Sequence, residues 1–230
     1  MKATRFNNVA SFERVTPEQI ERARYFQSAV LCDVAGRRGA LHGSIQPLVP
    51  SMVVAGPAFT VEVRPGDNLM FHVALALAQP GDVIVVDGKG YQSSALFGEL
   101  MVTQAIAAKL GGLVVDGAVR DVATLRESTM PIFANGRNPA GPTKGLDGRI
   151  GVPISLGGVS VEPGDLVIGD CDGVVVIPRL SVDKVLAAAE KKLEAEAQRL
   201  SEIRDGVLVS PWLDDALRAA GVIGASETLE

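Results

Sequence analysis

Histidine, cysteine and aromatic residues are all scarce in this chain, and each scarcity removes a class of function. There are 2 His and 2 Cys in 230 residues. Cys32 and Cys171 lie far apart with no CxxC spacing. Neither a thiolate zinc site nor a disulfide scaffold is expected, and two partly buried reduced thiols are. The histidines are too few and too isolated for a multi-histidine metal site. His42, beside Gly43, reads as a loop residue; His72, within the apolar run Phe71–Ala78, reads as a satisfied core or edge histidine. Aromatic residues make up only 4% and the formal net charge is -5. With no basic stripe and little to stack on bases, a nucleic-acid-binding surface is not expected. The longest apolar runs, such as Val83–Val86 and Val174–Ile177, are strand-length and cannot span a bilayer. The first residues, Met1–Asn7, lack the apolar stretch of a secretion signal, which points to a cytoplasmic address. No Walker loop, serine-nucleophile elbow or HExxH motif occurs. Lys89, in Asp87-Gly88-Lys89-Gly90, reads as an exposed turn without the desolvation a Schiff-base lysine needs.

What is present is an ordinary globular composition, 47% hydrophobic and 21% charged, enough for a real core. Thr16-Pro17-Glu18-Gln19 carries the N-cap and proline-at-N1 pattern of a helix start, and a second short helix is expected at 29–34. Strand-like runs follow at 52–55, 58–63, 82–87, 112–116, 131–134, 152–161, 165–168 and 173–177, almost all punctuated by Gly or Pro. Helices are expected between them at 68–78, 93–110 and 122–127. Alternating Val-rich strands and helices predict an α/β fold with helix-covered sheets. The strands after 150, with no helices between them, predict a second β layer. No repeat or linker is visible, so one domain is expected over 1–230: N-terminal helices at 1–50, an α/β core at about 51–180 and a C-terminal helical segment from about 181.

The last long helix is expected over 182–205, with Ser181 as N-cap and Gly206 as stop. Its apolar residues Val182, Leu186, Ala189, Leu193, Leu200 and Ile203 form a stripe, and Glu196 occupies the position that would complete it. A carboxylate on a packing seam is costly unless paired, hydrated or functional. On spacing alone, a register-setting or snorkelling Glu196 is the simpler reading.

Two segments could carry chemistry. In Gly98-Glu99-Leu100-Met101, a glycine opens a helix, whose first-turn amides and dipole can hold a carboxylate or phosphate without a cationic side chain. The plain alternative is a turn glycine followed by an acidic residue that favours a helix N-terminus. In Gly112–Asp121, an apolar strand is expected to turn at Asp116-Gly117, and a helix starts after Asp121. Catalytic groups of α/β proteins gather at strand carboxyl ends. Arg120 offers a planar fork for an oxo acid, and Asp121 a hard oxygen ligand for Mg²⁺ or Mn²⁺. The plain alternatives are a surface ion pair for Arg120 and an N-cap role for Asp121.

Gly98-Glu99, twenty intervening residues and then Arg120-Asp121 resemble the signature of the 4-hydroxy-4-methyl-2-oxoglutarate / 4-carboxy-4-hydroxy-2-oxoadipate aldolases. These share a superfamily with the regulator of ribonuclease activity A. The resemblance continues through 133–140 (FANGRNPA), 157–165 (GGVSVEPGD) and 172–178 (DGVVVIP), and covers roughly residues 25–210. It implies a three-layer swivelling β/β/α domain with a long C-terminal helix, assembled as homotrimers or homohexamers with active sites between subunits. It also implies residue roles. The amides of Leu100 and Met101, after Gly98, would bind the pyruvate carboxylate, and Arg120 the 2-oxo acid and its enolate. Asp121 would hold Mg²⁺ or Mn²⁺, largely through water. Glu99, which is aspartate in some members, would orient a proton-shuttling water, and Glu196 would approach the metal waters from a neighbouring subunit. The implied activity is retro-aldol cleavage of a 4-hydroxy-2-oxo diacid to pyruvate, with oxaloacetate decarboxylation as a companion and a small 2-oxo acid as the ligand. Arg137 and Lys144 are candidates for the pocket beyond C4. The alternative implied by the same superfamily is a non-catalytic regulator that binds a ribonuclease; retention of Asp121 after Arg120 favours catalysis. A quinone-precursor methyltransferase ranks last, because no glycine-rich loop for a methyl-donor nucleotide is present.

Overall fold

Parallel strands cannot be joined by a tight turn, so each pair needs a crossover, usually helical. The middle of this chain supplies helices at that spacing. The computed structural model describes residues 11–229; residues 1–10, including the Met1–Asn7 segment considered above, and residue 230 lie outside the described residues. The chain divides into two compact units, Met1–Ala189 and Glu190–Glu230. In chain order the elements are α1 (Pro17–Ala23), α2 (Ser28–Val34), β1 (Gln46–Pro47), β2 (Val54–Glu62), α3 (Leu69–Leu77), β3 (Val83–Phe97), α4 (Glu99–Ala107), β4 (Gly112–Val119), α5 (Val122–Glu127), β5 (Ile132–Arg137), β6 (Arg149–Ile150), β7 (Ile154–Leu156), β8 (Val159–Val161), β9 (Leu166–Asp170), β10 (Gly173–Ile177), α6 (Val182–Arg204) and α7 (Leu213–Ala219).

In the first unit the main sheet has the order β1-β5-β4-β3-β2-β9-β10, with β6 also on β2 and β7–β8 as a separate hairpin. The pairs β2–β3, β3–β4 and β4–β5 are parallel; β2–β9 and β9–β10 are antiparallel. The expected α/β architecture, with a group of helix-free strands after 150 and a long C-terminal helix, is what forms. Thr16 makes the capping box expected of it, its hydroxyl accepting from the Gln19 amide while the Gln19 side chain accepts from the Thr16 amide.

Several boundaries differ from expectation, each for a physical reason. The runs at 52–55 and 58–63 are one strand, β2. Its first half pairs with β9 up to Pro57 and its second half with β3 from Ala58, so the proline falls where the hydrogen-bonding neighbour changes and costs the ladder little. The helix expected from residue 93 begins only at Glu99, because β3 continues to Phe97 with register shifts after Val86. Nor does β4 turn at Asp116-Gly117: it runs to Val119. Gly117 is small for packing, since a Cβ there would come 3.0 Å from Leu96 Cδ1. The run 152–161 is the β7–β8 hairpin, turning at Gly157-Gly158, both with positive φ. Ser181 is no N-cap: it ends a 3₁₀ turn, Arg179–Ser181, that leads straight into α6. Cys171 is exposed rather than partly buried, and both thiols are free.

The core is built on fully buried Phe59, Phe71, Phe97 and Phe133. Phe71 of α3 meets Phe97 edge to face, with centroids 5.2 Å apart and planes at 89°, a geometry that adds about 0.5–1.5 kcal/mol beyond burial alone. That contact fixes the last residue of β3 immediately before Gly98. A second cluster, including Leu31, Leu166, Ile177, Val182 and Leu186, lies between α2, α6 and the β9–β10 pair. In the second unit, Gly206 stops α6 as expected, with φ +89 and the Val207 amide donating to the Glu202 carbonyl. Leu193, Leu200 and Ile203 are 38%, 53% and 42% exposed. The expected seam is thus open to solvent along these residues, and Glu196 pairs with Lys192 one turn before it at 2.9 Å. Among the described residues no helix is long and apolar enough to cross a membrane.

One buried carboxylate organises a loop beside the sheet. Asp67, 1% exposed, accepts hydrogen bonds from the amides of Leu69, Gly145 and Leu146 and from the Thr143 hydroxyl. Burial alone would raise its pKa, but these donors outweigh burial and hold it below the usual carboxylate value. A depressed folded pKa gives stability that is present above the unfolded value, about 3.9, and is lost as pH falls through the folded value. Asp67→Ala is expected to cost on the order of 3 kcal/mol at neutral pH by orphaning these donors. The difference from the parent protein should shrink below about pH 4, as read by chemical denaturation at the two pH values.

Candidate functional site

The spacing Gly98-Glu99-x20-Arg120-Asp121 is one parallel crossover. The chain leaves β3 at Phe97, passes through α4, returns along β4 and leaves at Val119. Phe97 and Val119 are register partners, so Gly98 and Arg120, and after them Glu99 and Asp121, emerge side by side at one sheet edge. The Arg120 amide donates to the Phe97 carbonyl at 3.0 Å.

Asp121 has a left-handed backbone, φ 57 and ψ 33, and its side chain does not cap α5. Its Oδ2 instead accepts the Glu99 amide, the first of α4, at 3.0 Å. The N-cap role considered for Asp121 is therefore replaced by a bond to the neighbouring helix. The next amides, of Leu100 and Met101, have no acceptor within the helix, as the geometry of any helix start requires. Gly98 has φ -150, which any residue adopts. Its need for glycine is spatial, because a Cβ would lie 2.1 Å from Asp121 Oδ2 and 2.8 Å from Arg120 Cγ. Arg120 Nε stands 3.7 Å from the same Asp121 oxygen. Behind the guanidinium lies Gly141, where a Cβ would come 2.9 Å from Nη1. This supporting loop is pinned by the Asn138 amide on the Val119 carbonyl, by the Ala95 amide on the Ala140 carbonyl and by Asn138 Nδ2 on the Gln92 carbonyl at 2.8 Å. A cleft of about 240 Å³ between α4 and α5 reaches the exposed Glu99.

Two residues at and just after the start of α3 leave buried polar atoms without partners, and one of them, missed in the sequence, reaches the end of β3. Asn68, 2% exposed at the helix start, donates from Nδ2 to the Leu96 carbonyl at 2.7 Å and lies 3.3 Å from Met101 Sδ. Its Oδ1 is buried without a partner. One turn on, His72 also leaves Nε2 buried and unpartnered, so it is not the satisfied histidine expected. Burial first, and then the charge of Lys144, hold its pKa below the ordinary value. Unpaired buried polar atoms are rare in folded proteins. The signal for Asn68 was the polar pair Asp67-Asn68 between Pro65-Gly66 and an apolar helix.

Of the remaining candidates, His42 bonds its own turn through Nδ1 to the Ser44 hydroxyl, as expected of a loop residue. Lys89 lies within β3, not in a free turn, and bridges Asp87 at 2.5 Å and Glu62 at 2.9 Å. Asp87, and after burial is set against it Glu62, hold the ammonium above its ordinary pKa, the reverse of what a nucleophilic lysine requires. Arg137 ends β5 opposite Val119. Glu196 belongs to the second unit, with Lys192 as its partner. Among the described residues no group of three or more His, Cys, Asp or Glu stands ready to hold a metal ion. A hard cation that keeps most of its waters needs only one or two carboxylates. Asp121 suits that role: Oδ2 is fixed by the Glu99 amide, while the carboxylate is 42% exposed.

Comparison with known proteins shows the family. The RraA-like family model, described as Aldolase/RraA, matches residues 28–176. A protein of Halalkalibacterium halodurans, provisionally named a 4-hydroxy-4-methyl-2-oxoglutarate aldolase, is 44% identical over 73% of this chain and 80% of its own. The crystal structure of Streptomyces coelicolor RraAS2, described as an unusual member of the RNase ES inhibitor RraA family, superposes with a TM-score of 0.76 at 29% identity, over 82% of this chain and 98% of its own. A Geobacillus kaustophilus structure described as an S-adenosylmethionine: 2-dimethylmenaquinone methyltransferase gives 0.62 at 33% identity, over 66% of this chain and 95% of its own. By its fold, by the Gly98-to-Asp121 crossover and by these likenesses, the chain belongs to the RraA-like family.

Proposed function

We propose that the protein is a divalent-metal-dependent carbon–carbon lyase. It cleaves a 4-hydroxy-2-oxo diacid, of the 4-hydroxy-4-methyl-2-oxoglutarate or 4-carboxy-4-hydroxy-2-oxoadipate type, to pyruvate and a second oxo acid, and also decarboxylates oxaloacetate. The observation that carries this reading is the close approach of the Asp121 carboxylate to both the Arg120 guanidinium and the first amide of α4. The name of the Halalkalibacterium relative supports it.

The helix-start amides of Leu100 and Met101 bind the substrate carboxylate, aided by the α4 dipole. Asp121, with water, holds Mg²⁺ or Mn²⁺. When bound, the cation supplies Lewis-acid polarisation of the 2-oxo group and offsets enolate charge. Arg120 donates to the 2-oxo acid and steadies the same charge as it develops. Glu99 orients a water that takes the proton of the 4-hydroxyl. The C3–C4 bond then breaks, its electron pair forming the enolate, and the 4-hydroxyl carbon becomes the carbonyl of the second product. Protonation at C3 releases pyruvate. Loss of CO₂ from oxaloacetate yields the same enolate. Asn68 holds the Leu96 carbonyl and so positions the strand leading to Gly98. Homotrimers or homohexamers, with Glu196 from a neighbouring copy completing the cation's surroundings, complete the proposal, and a cytoplasmic location accords with it.

A second reading is favoured by the likeness to RraAS2: a non-catalytic protein that restrains a ribonuclease by contact. The two separate in one assay. With Mg²⁺ or Mn²⁺ the protein is expected to release pyruvate from oxaloacetate and from 4-hydroxy-2-oxo diacids, and EDTA to abolish the release. An EDTA-insensitive rate would contradict the metal role, and no pyruvate from any member of the panel would favour the regulator. Asp121→Ala should keep the far-UV spectrum and lose at least about 10²-fold in rate. Gly98→Ala, which drives a methyl group into the Asp121 carboxylate, should lose about 10²-fold in kcat/KM by misplacing it on the order of 1 Å. Normal turnover by Gly98→Ala would show that this carboxylate is not a working part.

A further inference from the structure

A second cavity, of about 380 Å³, lies in the first unit between the end of α2, strands β8 and β10 and the first turns of α6. Its volume falls within the roughly 300–1,000 Å³ typical of ligand pockets. It shares no residue with the cleft between α4 and α5, and none of Gly98, Glu99, Arg120 and Asp121 lines it; β10 is separated from β4 in the sheet order by β3, β2 and β9. The aldolase reading makes no use of it.

The walls are largely apolar: Val34, Val159, Val176, Pro178 and Val185. The ionic residues among those lining it are both cations, Arg38 and Lys184. Both are exposed, and neither makes an ion pair with a carboxylate among the described residues. The acidic residue beside Lys184 is engaged elsewhere: Asp183 binds Gln19 Nε2 at 3.0 Å and Arg22 at 3.5 Å. Two hydroxyls, of Ser160 and Ser181, join the two cations. One wall is preformed. Gly39 has φ +85, and a Cβ there would lie 2.2 Å from the Val176 carbonyl oxygen; its own carbonyl accepts the Val176 amide at 2.8 Å. The loop carrying Arg38 is thereby held against the β10 backbone, which lowers the ordering cost of binding.

We propose that this cavity binds a small monocarboxylate with an apolar aryl or branched-alkyl body. An apolar chamber with cations and hydroxyls but no anion selects a ligand of opposite charge at one end and hydrocarbon at the other. The planar fork of Arg38 matches a carboxylate by two parallel hydrogen bonds, with Lys184 as a second point charge.

Phenylacetate is the probe, titrated into the full chain and followed by calorimetry and ligand-observed NMR. The expected result is saturable binding of one molecule per chain, undiminished by pyruvate with Mg²⁺ and by Asp121→Ala. Benzylamine, of like shape and opposite charge, should not bind. Arg38→Gln should weaken phenylacetate by about tenfold or more, the scale of a lost charge-assisted hydrogen bond, and Ala188→Trp should block the chamber. Because Arg38 is exposed, its variant tests the proposal even if Ala188→Trp fails to fold. Absence of saturable binding would overturn the proposal. So would competition by pyruvate, loss of binding in Asp121→Ala, or equal affinity in the Arg38 and Ala188 variants. If Arg38→Gln and Lys184→Gln change the sedimenting mass while phenylacetate does not bind, the cavity belongs to a contact between copies and the proposal falls.

Discussion

The hydrogen bond from the Glu99 amide to the Asp121 carboxylate is the constraint on which the rest of the site depends. It joins the start of one helix to the residue before the next, across the carboxyl ends of two parallel strands. A carboxylate in that position satisfies an orphan amide and is itself oriented by it, so neither group is free to wander. Gly98 and the left-handed backbone of Asp121 follow from the same bond. The first clears the space the carboxylate occupies, and the second turns it back toward α4 instead of along α5. The strain of a positive φ at an aspartate is modest, because a short polar side chain tolerates this region better than most.

Around that bond the support is graded. Phe71 and Phe97 lock the end of β3 from below. Asn68 ties the Leu96 carbonyl, and the 138–141 loop backs Arg120 through the Gly141 main chain. Asp67 holds the neighbouring 143–146 segment by its backbone amides and the Thr143 hydroxyl. Much of this support is polar and buried. That arrangement is rigid when every group is paired; Asn68 Oδ1, His72 Nε2 and Ser94 Oγ are buried without a partner.

Residues carrying strong local signals were legible in the sequence. Thr16 with Gln19, the Val-rich strands and Gly206 act through neighbours a few positions away, and the structure has them where pattern reasoning expects. The pairing of Gly98-Glu99 with Arg120-Asp121 came from the family resemblance; on their own residues the two segments read equally well as a turn glycine and an N-cap. What was not readable depended on partners distant in sequence. The extension of β3 and β4 past their glycines is decided by each strand's neighbour, not by its own residues. The single β2 needed two different neighbours meeting at Pro57. His72 and Asn68 could not be told from ordinary helix residues without seeing what their polar atoms lack. The α6 stripe expected as a seam contains exposed leucines, because periodicity reports an apolar face and not what covers it.

Asp67 bonds mostly to main-chain amides rather than to side chains, and Gly141 touches Arg120 through its backbone. The identities of residues 144 and 146 are therefore nearly free of architectural duty: Lys144 and Leu146 are exposed, and their replacement leaves the anchoring carboxylate its donors. Natural drift at these two places can thus change the charge and bulk of this exposed surface without disturbing the anchor beneath it.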